Sequence, residues 1–219
     1  MNSDDIIKNA KIIQFQNTSY GYKSYGIDNI VRLPLSQLTY KGWALNDHHL
    51  TTEYHRKYTL PKLNEIFNFG YNENDFILKE NIINGHDISN LWPKQELIFD
   101  INGFMEEETI INTQFNSLVS CNLAEKNLTD FHKLYRYPHQ CSRIINKTIT
   151  NDRSLFISGD SQMIPNIAIL ACYFKEVWYF DNRKNGKSLK KEYENKEFSD
   201  ILIEIGFNNK EKYFKDNLQ

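Results

Sequence analysis

Cysteine is scarce: Cys121, Cys141 and Cys172 are three in 219 residues, odd in number and widely spaced. That excludes a disulfide framework and a CxxC metal pair, and leaves free buried thiols as the expected state. Charge of one sign is lacking too. Lys and Arg number 26 against 28 Asp and Glu, a net charge of −2 scattered along the chain, which argues against a nucleic-acid partner. No run approaches the ~18 apolar residues of a membrane span, so no transmembrane segment is expected. The first residues, Met1 to Asp5 followed by Ile6-Ile7-Lys8-Asn9-Ala10-Lys11, contain no apolar signal core. The expected location is therefore the cytoplasm, or the periplasm or cell surface if the chain is a fragment of a longer protein. No Pro/Gly/Ser-rich linker, internal repeat or low-complexity segment divides the sequence. What is present, 40% hydrophobic and 25% charged residues in 26.0 kDa, suffices for a full core in one domain over residues 1–219.

Residues 1 to about 40–45 read as irregular, with short strand-like pieces punctuated by Tyr20-Gly21-Tyr22, Tyr25-Gly26 and Pro34. Thr51 or Thr52 is placed to cap a helix running to Phe67, which Pro61 should break, kink or restart. Glu96 to Ile101 reads as a strand, and about 105–150 has no clear order. The last third is plainer. A strand at 154–158, a helix at 163–174, a strand at 176–181, a helix at about 188–195 and a strand at 200–205 form a βαβαβ unit over about 154–208. Such alternation predicts an α/β protein, a three-layer α/β/α arrangement on a mainly parallel sheet. Sites in these sheets form outside the carboxyl ends of the strands. Ser161, Asp181-Asn182 and Asn208 each fall just past such an end.

Ser158-Gly159-Asp160-Ser161 stands between an apolar strand and an apolar helix. Gly159 is expected to permit the tight turn, and the helix start to supply free N–H groups beside the serine oxygen. Gly-Asp-Ser also makes ordinary turns, and Ser161 suits a helix N-cap. Asp47, His49 and Asn208 complete the parts list of an acyl-transferring serine site. Ser161 is the candidate nucleophile, His49 the general base, and Asp47 the group that fixes the imidazole. Asn208 and the Ser161 backbone N–H are the candidate oxyanion donors. In an extended segment Asp47 and His49 share one side and His48 points away; in a helix His48 becomes the competitor. Asp160 is expected to shape the turn.

These blocks resemble those of the SGNH hydrolase superfamily. Gly159-Asp160-Ser161 is similar to its nucleophile block, and Gly206-Phe207-Asn208 to its Gly-x-Asn block, with Asn209 where Asp is commoner. The Asp47-His48-His49 segment lies ahead of the serine, an order similar to the permuted branch of DHHW proteins and AlgJ/AlgX-type polysaccharide O-acetyltransferases. Leu50 stands where that branch has tryptophan. Phe174 to Arg183 resembles the branch's second strand. The resemblance implies an SGNH/flavodoxin-like fold with permuted motif order. It also implies an O-acetyltransferase or acetylesterase acting on a bacterial surface polysaccharide or its sugar precursor, beside membrane-associated polysaccharide assembly machinery.

Asp181, Asn182 and Arg183 are expected to line the substrate site, with Arg183 holding an anionic group or a surface salt bridge. Trp43 is either a sugar-stacking ring or core packing. No bound cofactor or metal is expected; the acyl donor is acetyl-CoA or an acylated carrier. Two other readings compete. One is a non-catalytic carbohydrate-binding or assembly domain of the same fold. The other is a metal-dependent DHH-type phosphoesterase, in which His48, His49 and His55 offer imidazoles at a spacing unlike HExxH.

Overall fold

In the computed structural model, residues 10–16, 30–34, 50–79, 82–83, 86–87, 90–95, 97, 99–103, 141–160, 162–181 and 196–205 are described. Strands β1 (Lys11–Gln16) and β2 (Ile30–Pro34) come first. Two short pairs follow: β3 (Phe76–Lys79) with β6 (Asn90–Pro93), and β4 (Ile82–Ile83) with β5 (His86–Asp87). β7 (Phe99–Gly103), β8 (Cys141–Asn146), β9 (Ser154–Gly159), β10 (Glu176–Asp181) and β11 (Asp200–Ile205) complete the strands. Seven of them form one sheet in the order β2-β1-β11-β9-β10-β8-β7. The five strands from β2 to β10 are parallel; at one edge β8 runs antiparallel to both its neighbours, β10 and β7. The protein is α/β with a mostly parallel central sheet.

The sequence explains why β9 is central. Ser154-Leu155-Phe156-Ile157-Ser158-Gly159 is buried at every position, and Val177 to Phe180 of β10 and Ile201 to Glu204 of β11 are buried too. Strands covered on both faces read as continuous apolar runs rather than alternating ones. Each fully buried Leu or Ile contributes about 1.5–3 kcal/mol.

The segment after Leu50 forms α1 (Thr52–Tyr54), a π-helical turn (His55–Thr59) and α2 (Leu60–Phe67). Thr51 is the cap, its Oγ1 accepting from Tyr54 N at 3.2 Å. The wide turn has a local cause. Pro61 has no N–H to offer the carbonyl four residues earlier, and its ring crowds that carbonyl. The loosened ladder before it, with Leu60 N bonded to His55 O, absorbs the mismatch. Asn68 ends α2 in the left-handed conformation, φ 48°.

Helix α3 (Ile164–Ala171) carries Pro165 in its first turn, where a missing N–H costs nothing, and packs on β10 and β8. It is shorter at both ends than the 163–174 read from apolarity. Apolar residues flank it because they are buried, with Met163 in the preceding turn and Phe174 in the following one. Two other expectations shift. The strand-like pieces at 11–16 and 30–34, within the stretch read as irregular, are parallel members of the main sheet. The strand expected at 96–101 lies at 99–103. The helix expected at about 188–195 and the stretch 104–140 fall outside the described residues.

At the amino end of β10, the Glu176 carboxylate accepts from Lys196 Nζ at 2.6 Å, from Trp178 Nε1 at 2.8 Å and from Arg143. Burial pushes this carboxyl up, but the bonds from Lys196, Trp178 and Arg143 outweigh it and hold it below the ordinary glutamate value of 4.5. A depressed folded value gives stability that is present above 4.5 and lost as pH falls through the folded value. Glu176→Gln is therefore expected to lower stability at neutral pH and to flatten its fall on acidification. Urea melts from pH 7 to 3 check this; an unchanged acid limb contradicts it.

Among the described residues no helix is long and apolar enough to cross a membrane. Cys172 takes no part in a disulfide, and burial pushes its thiol up to about 12. The side chains of Cys121 and Cys141 are not among those described.

Candidate active site

Parallel alignment of β9, β10 and β11 brings three carboxyl ends to one rim. Gly159, the last residue of β9, pairs with Asp181, the last of β10. On the other side Ile203 pairs with Ser158, so the last residues of β11, Glu204 and Ile205, reach the same rim.

Just past Gly159 the chain is held at Asp160. Its N–H donates to Glu204 Oε2 at 2.7 Å. Its carbonyl accepts from Met163 N and from the Tyr179 hydroxyl, both at 3.1 Å. Its side-chain Oδ1 accepts from Gln162 N at 2.8 Å, the Asx-turn bond that favours Asp here. Asp160 thus shapes the turn, as its position in the sequence suggested. The Tyr179 hydroxyl is also 3.3 Å from the Gly159 carbonyl, and Tyr179 is fully buried.

Gly159 has a different role from the one expected. Among the described residues only Asn68 and Gly70 have positive φ, so Gly159 supplies no left-handed backbone. It supplies space. A Cβ there would stand 3.0 Å from Met163 Cγ and 3.2 Å from Glu204 Oε2. The helix start also differs from expectation. The N-cap of α3 is Met163, without a side-chain cap, so the helix begins beyond the position at which Ser161 would cap it.

A second set of contacts ties the 50–59 segment to this turn. Gln162, 2% exposed, accepts through Oε1 from Leu50 N at 3.0 Å, a bond across 112 positions of sequence. One helical turn further, buried Asn166 places Nδ2 3.1 Å from His55 Nδ1. The same ring nitrogen is 3.0 Å from Thr59 Oγ1. His55, Thr59, Gln162 and Asn166 are all buried, so a polar seam joins the π turn to the start of α3. His55 Nδ1, considered above for a metal, faces an amide and a hydroxyl here. Among the described residues no group of three or more His, Cys, Asp or Glu is disposed to hold a metal ion.

Ser161, His49, Asp47, His48, Asn208, Asn182, Arg183 and Trp43 lie outside the described residues, and of Asp181 only the backbone is described. The immediate neighbours of His49 and Ser161 are described and carry the geometry above: Leu50 after His49, Asp160 and Gln162 around Ser161. Sequence reading missed Glu204, Gln162, Asn166 and Tyr179 as parts of this region, and named His55 only for a metal. A signal existed for three of them. Glu204 interrupts Ile201-Leu202-Ile203 and Ile205, and Gln162 and Asn166 sit four apart in an otherwise apolar stretch.

No family model and no curated protein matches the sequence. Solved structures do match in shape. Bacillus cereus PatB1 with a sulfonyl adduct aligns over 91% of this chain and 83% of its own, with TM-score 0.61 and 12% identity. A second PatB1 structure aligns over 92% and 84%, with the same score and identity. A DHHW family protein from Eubacterium siraeum DSM 15702 aligns over 95% and 83%, with TM-score 0.59 and 13% identity. The fold is shared. At these identities the likeness concerns the path of the backbone and not the chemistry.

Proposed function

We propose that this chain is a serine acyl-transfer enzyme of the SGNH type. The observation that carries the reading is the Leu50–Gln162 hydrogen bond. Consecutive Cα atoms are about 3.8 Å apart. A bond between the residue after His49 and the residue after Ser161 therefore supports a working pair of histidine and serine.

In this reading His49 takes the Ser161 hydroxyl proton while Oγ attacks the acyl carbonyl, and Asp47 holds the imidazole in the required tautomer. Asn208 and the Ser161 N–H receive the oxyanion. Gln162 N–H is not a donor to it, since Asp160 Oδ1 already accepts that proton. Collapse expels the donor's leaving group with the proton from His49. A sugar hydroxyl, or water, then gives its proton to His49 and takes the acyl group, and His49 returns that proton to the departing Ser161 Oγ. The donor is acetyl-CoA or an acylated carrier. The acceptor class is a bacterial surface polysaccharide or its precursor, the substrate that the motif resemblance implies, delivered by membrane-associated assembly machinery. Asp181, Asn182, Arg183 and Trp43 are the residues proposed to meet it.

The test is reaction of the folded protein with a fluorophosphonate, read by intact mass and peptide mapping. Covalent modification at Ser161 is the expected result. A folded wild type that stays unmodified overturns the reading.

A further inference from the structure

We propose that Glu204 is a positioning residue that fixes the backbone leading into Ser161; this rests on the serine reading above. The need for it comes from the sheet itself. β11 pairs with β9 only as far as Ile203 opposite Ser158, so beyond that level the described ladder offers Asp160 N–H no acceptor from β11. Glu204, the next residue of β11, supplies one from its side chain, with Oε2 at 2.7 Å. An acidic side chain at 0% exposure inside an apolar strand is costly and rarely placed without a hydrogen-bonding duty. An isoleucine there would suit the strand and leave the half-buried Asp160 amide without this acceptor.

The second observation is on the facing strand. Any Cβ at 159 would come within 3.2 Å of Glu204 Oε2, so the glycine is what lets the carboxylate approach the turn. With Tyr179 holding the Asp160 carbonyl and Glu204 the amide, the peptides on both sides of Asp160 are fixed from two neighbouring strands. Nucleophile placement is the quantity such a device controls, since productive geometry tolerates about 0.5 Å. Glu204 makes its contact with the turn and not with substrate.

Glu204→Gln keeps an acceptor of the same reach, and Glu204→Ala removes it. In the full chain, fluorophosphonate modification of Ser161 is expected to slow about tenfold or more in Glu204→Ala and to stay within about twofold of wild type in Glu204→Gln. Hydrogen exchange at the Asp160 amide, read by NMR, is expected to accelerate in the alanine variant alone. If Glu204→Ala does not fold, Glu204→Asp, which withdraws the carboxylate by one methylene, takes its place with the same expectation. Wild-type labelling in the truncated variant overturns the proposal, as does a glutamine variant that is slow while its Asp160 amide stays protected. A wild type that takes no label sinks the serine reading instead, and Asp160 exchange still decides whether Glu204 holds the turn.

Discussion

Ser161→Ala is expected to take up no fluorophosphonate, and Gln162→Ala to take it up about a hundredfold more slowly than wild type. The first result follows from removing the hydroxyl that the proposed function makes the nucleophile. The second follows from geometry. Gln162 Oε1 is the acceptor for Leu50 N, and Leu50 is buried, so truncation leaves an N–H without its partner in the interior. The direct cost is about 1–3 kcal/mol. The larger consequence is loss of the link between the segment carrying His49 and the turn carrying Ser161. A misplacement of about 1 Å between base and nucleophile costs on the order of a hundredfold in rate. Gln162→Glu retains an oxygen at the same reach and is expected to fall between the two. His49→Ala should resemble Gln162→Ala in rate while keeping wild-type stability. If Gln162→Ala is destabilised but labels at the wild-type rate, the Leu50 bond is structural only.

Much of this frame is legible in the residues alone. β10 carries an unbroken apolar core between Glu176 and Asp181, β11 one from Ile201 to Ile205 interrupted only by Glu204, and their limits fall where pattern reading puts them. The glycine at 159 marks a real constraint, but the sequence does not say whether a glycine serves a twisted backbone or a close neighbour. Here the close neighbours are Met163, four positions on, and Glu204, 45 positions away, which no local pattern links to the glycine. β1 and β2 are illegible for a similar reason. Lys11-Ile12-Ile13-Gln14-Phe15-Gln16 is too short and too mixed to announce a parallel strand, and only pairing with β11 and β2 makes it one. The polar seam of His55, Thr59, Gln162 and Asn166 exists only where two segments meet. Gln162 and Asn166 stand out in their apolar stretch, but nothing local names His55 and Thr59 as the residues they meet.

Arg153→Ala is expected to destabilise the fold by about 2–3 kcal/mol, lowering Tm by about 5–10 °C, without slowing Ser161 labelling of the folded protein. Arg153 Nη2 donates to Phe67 O at 2.7 Å and Nη1 to Asn68 O at 3.1 Å, at the end of α2, where carbonyls lack partners within the helix. Nε and Nη2 reach Asp200 Oδ2 at 3.1 and 2.8 Å, and the guanidinium lies 4.9 Å from the centre of the Phe174 ring. One side chain therefore joins α2, the start of β9, the start of β11 and the loop before β10. The Arg153 side chain is 33% exposed, so the ion pair is partly screened and the abandoned carbonyls carry much of the loss. Arg153→Lys keeps the charge but not the fork, and is expected to restore less than half of the stability. The separation from labelling follows from topology. In a parallel sheet Ser154 and Asp200 begin β9 and β11, at the end opposite the rim where those strands deliver the candidate site. A parallel fall in melting temperature and labelling rate, measured well below the transition, contradicts that separation. It would mean that the two ends of β9 are coupled through the strand itself.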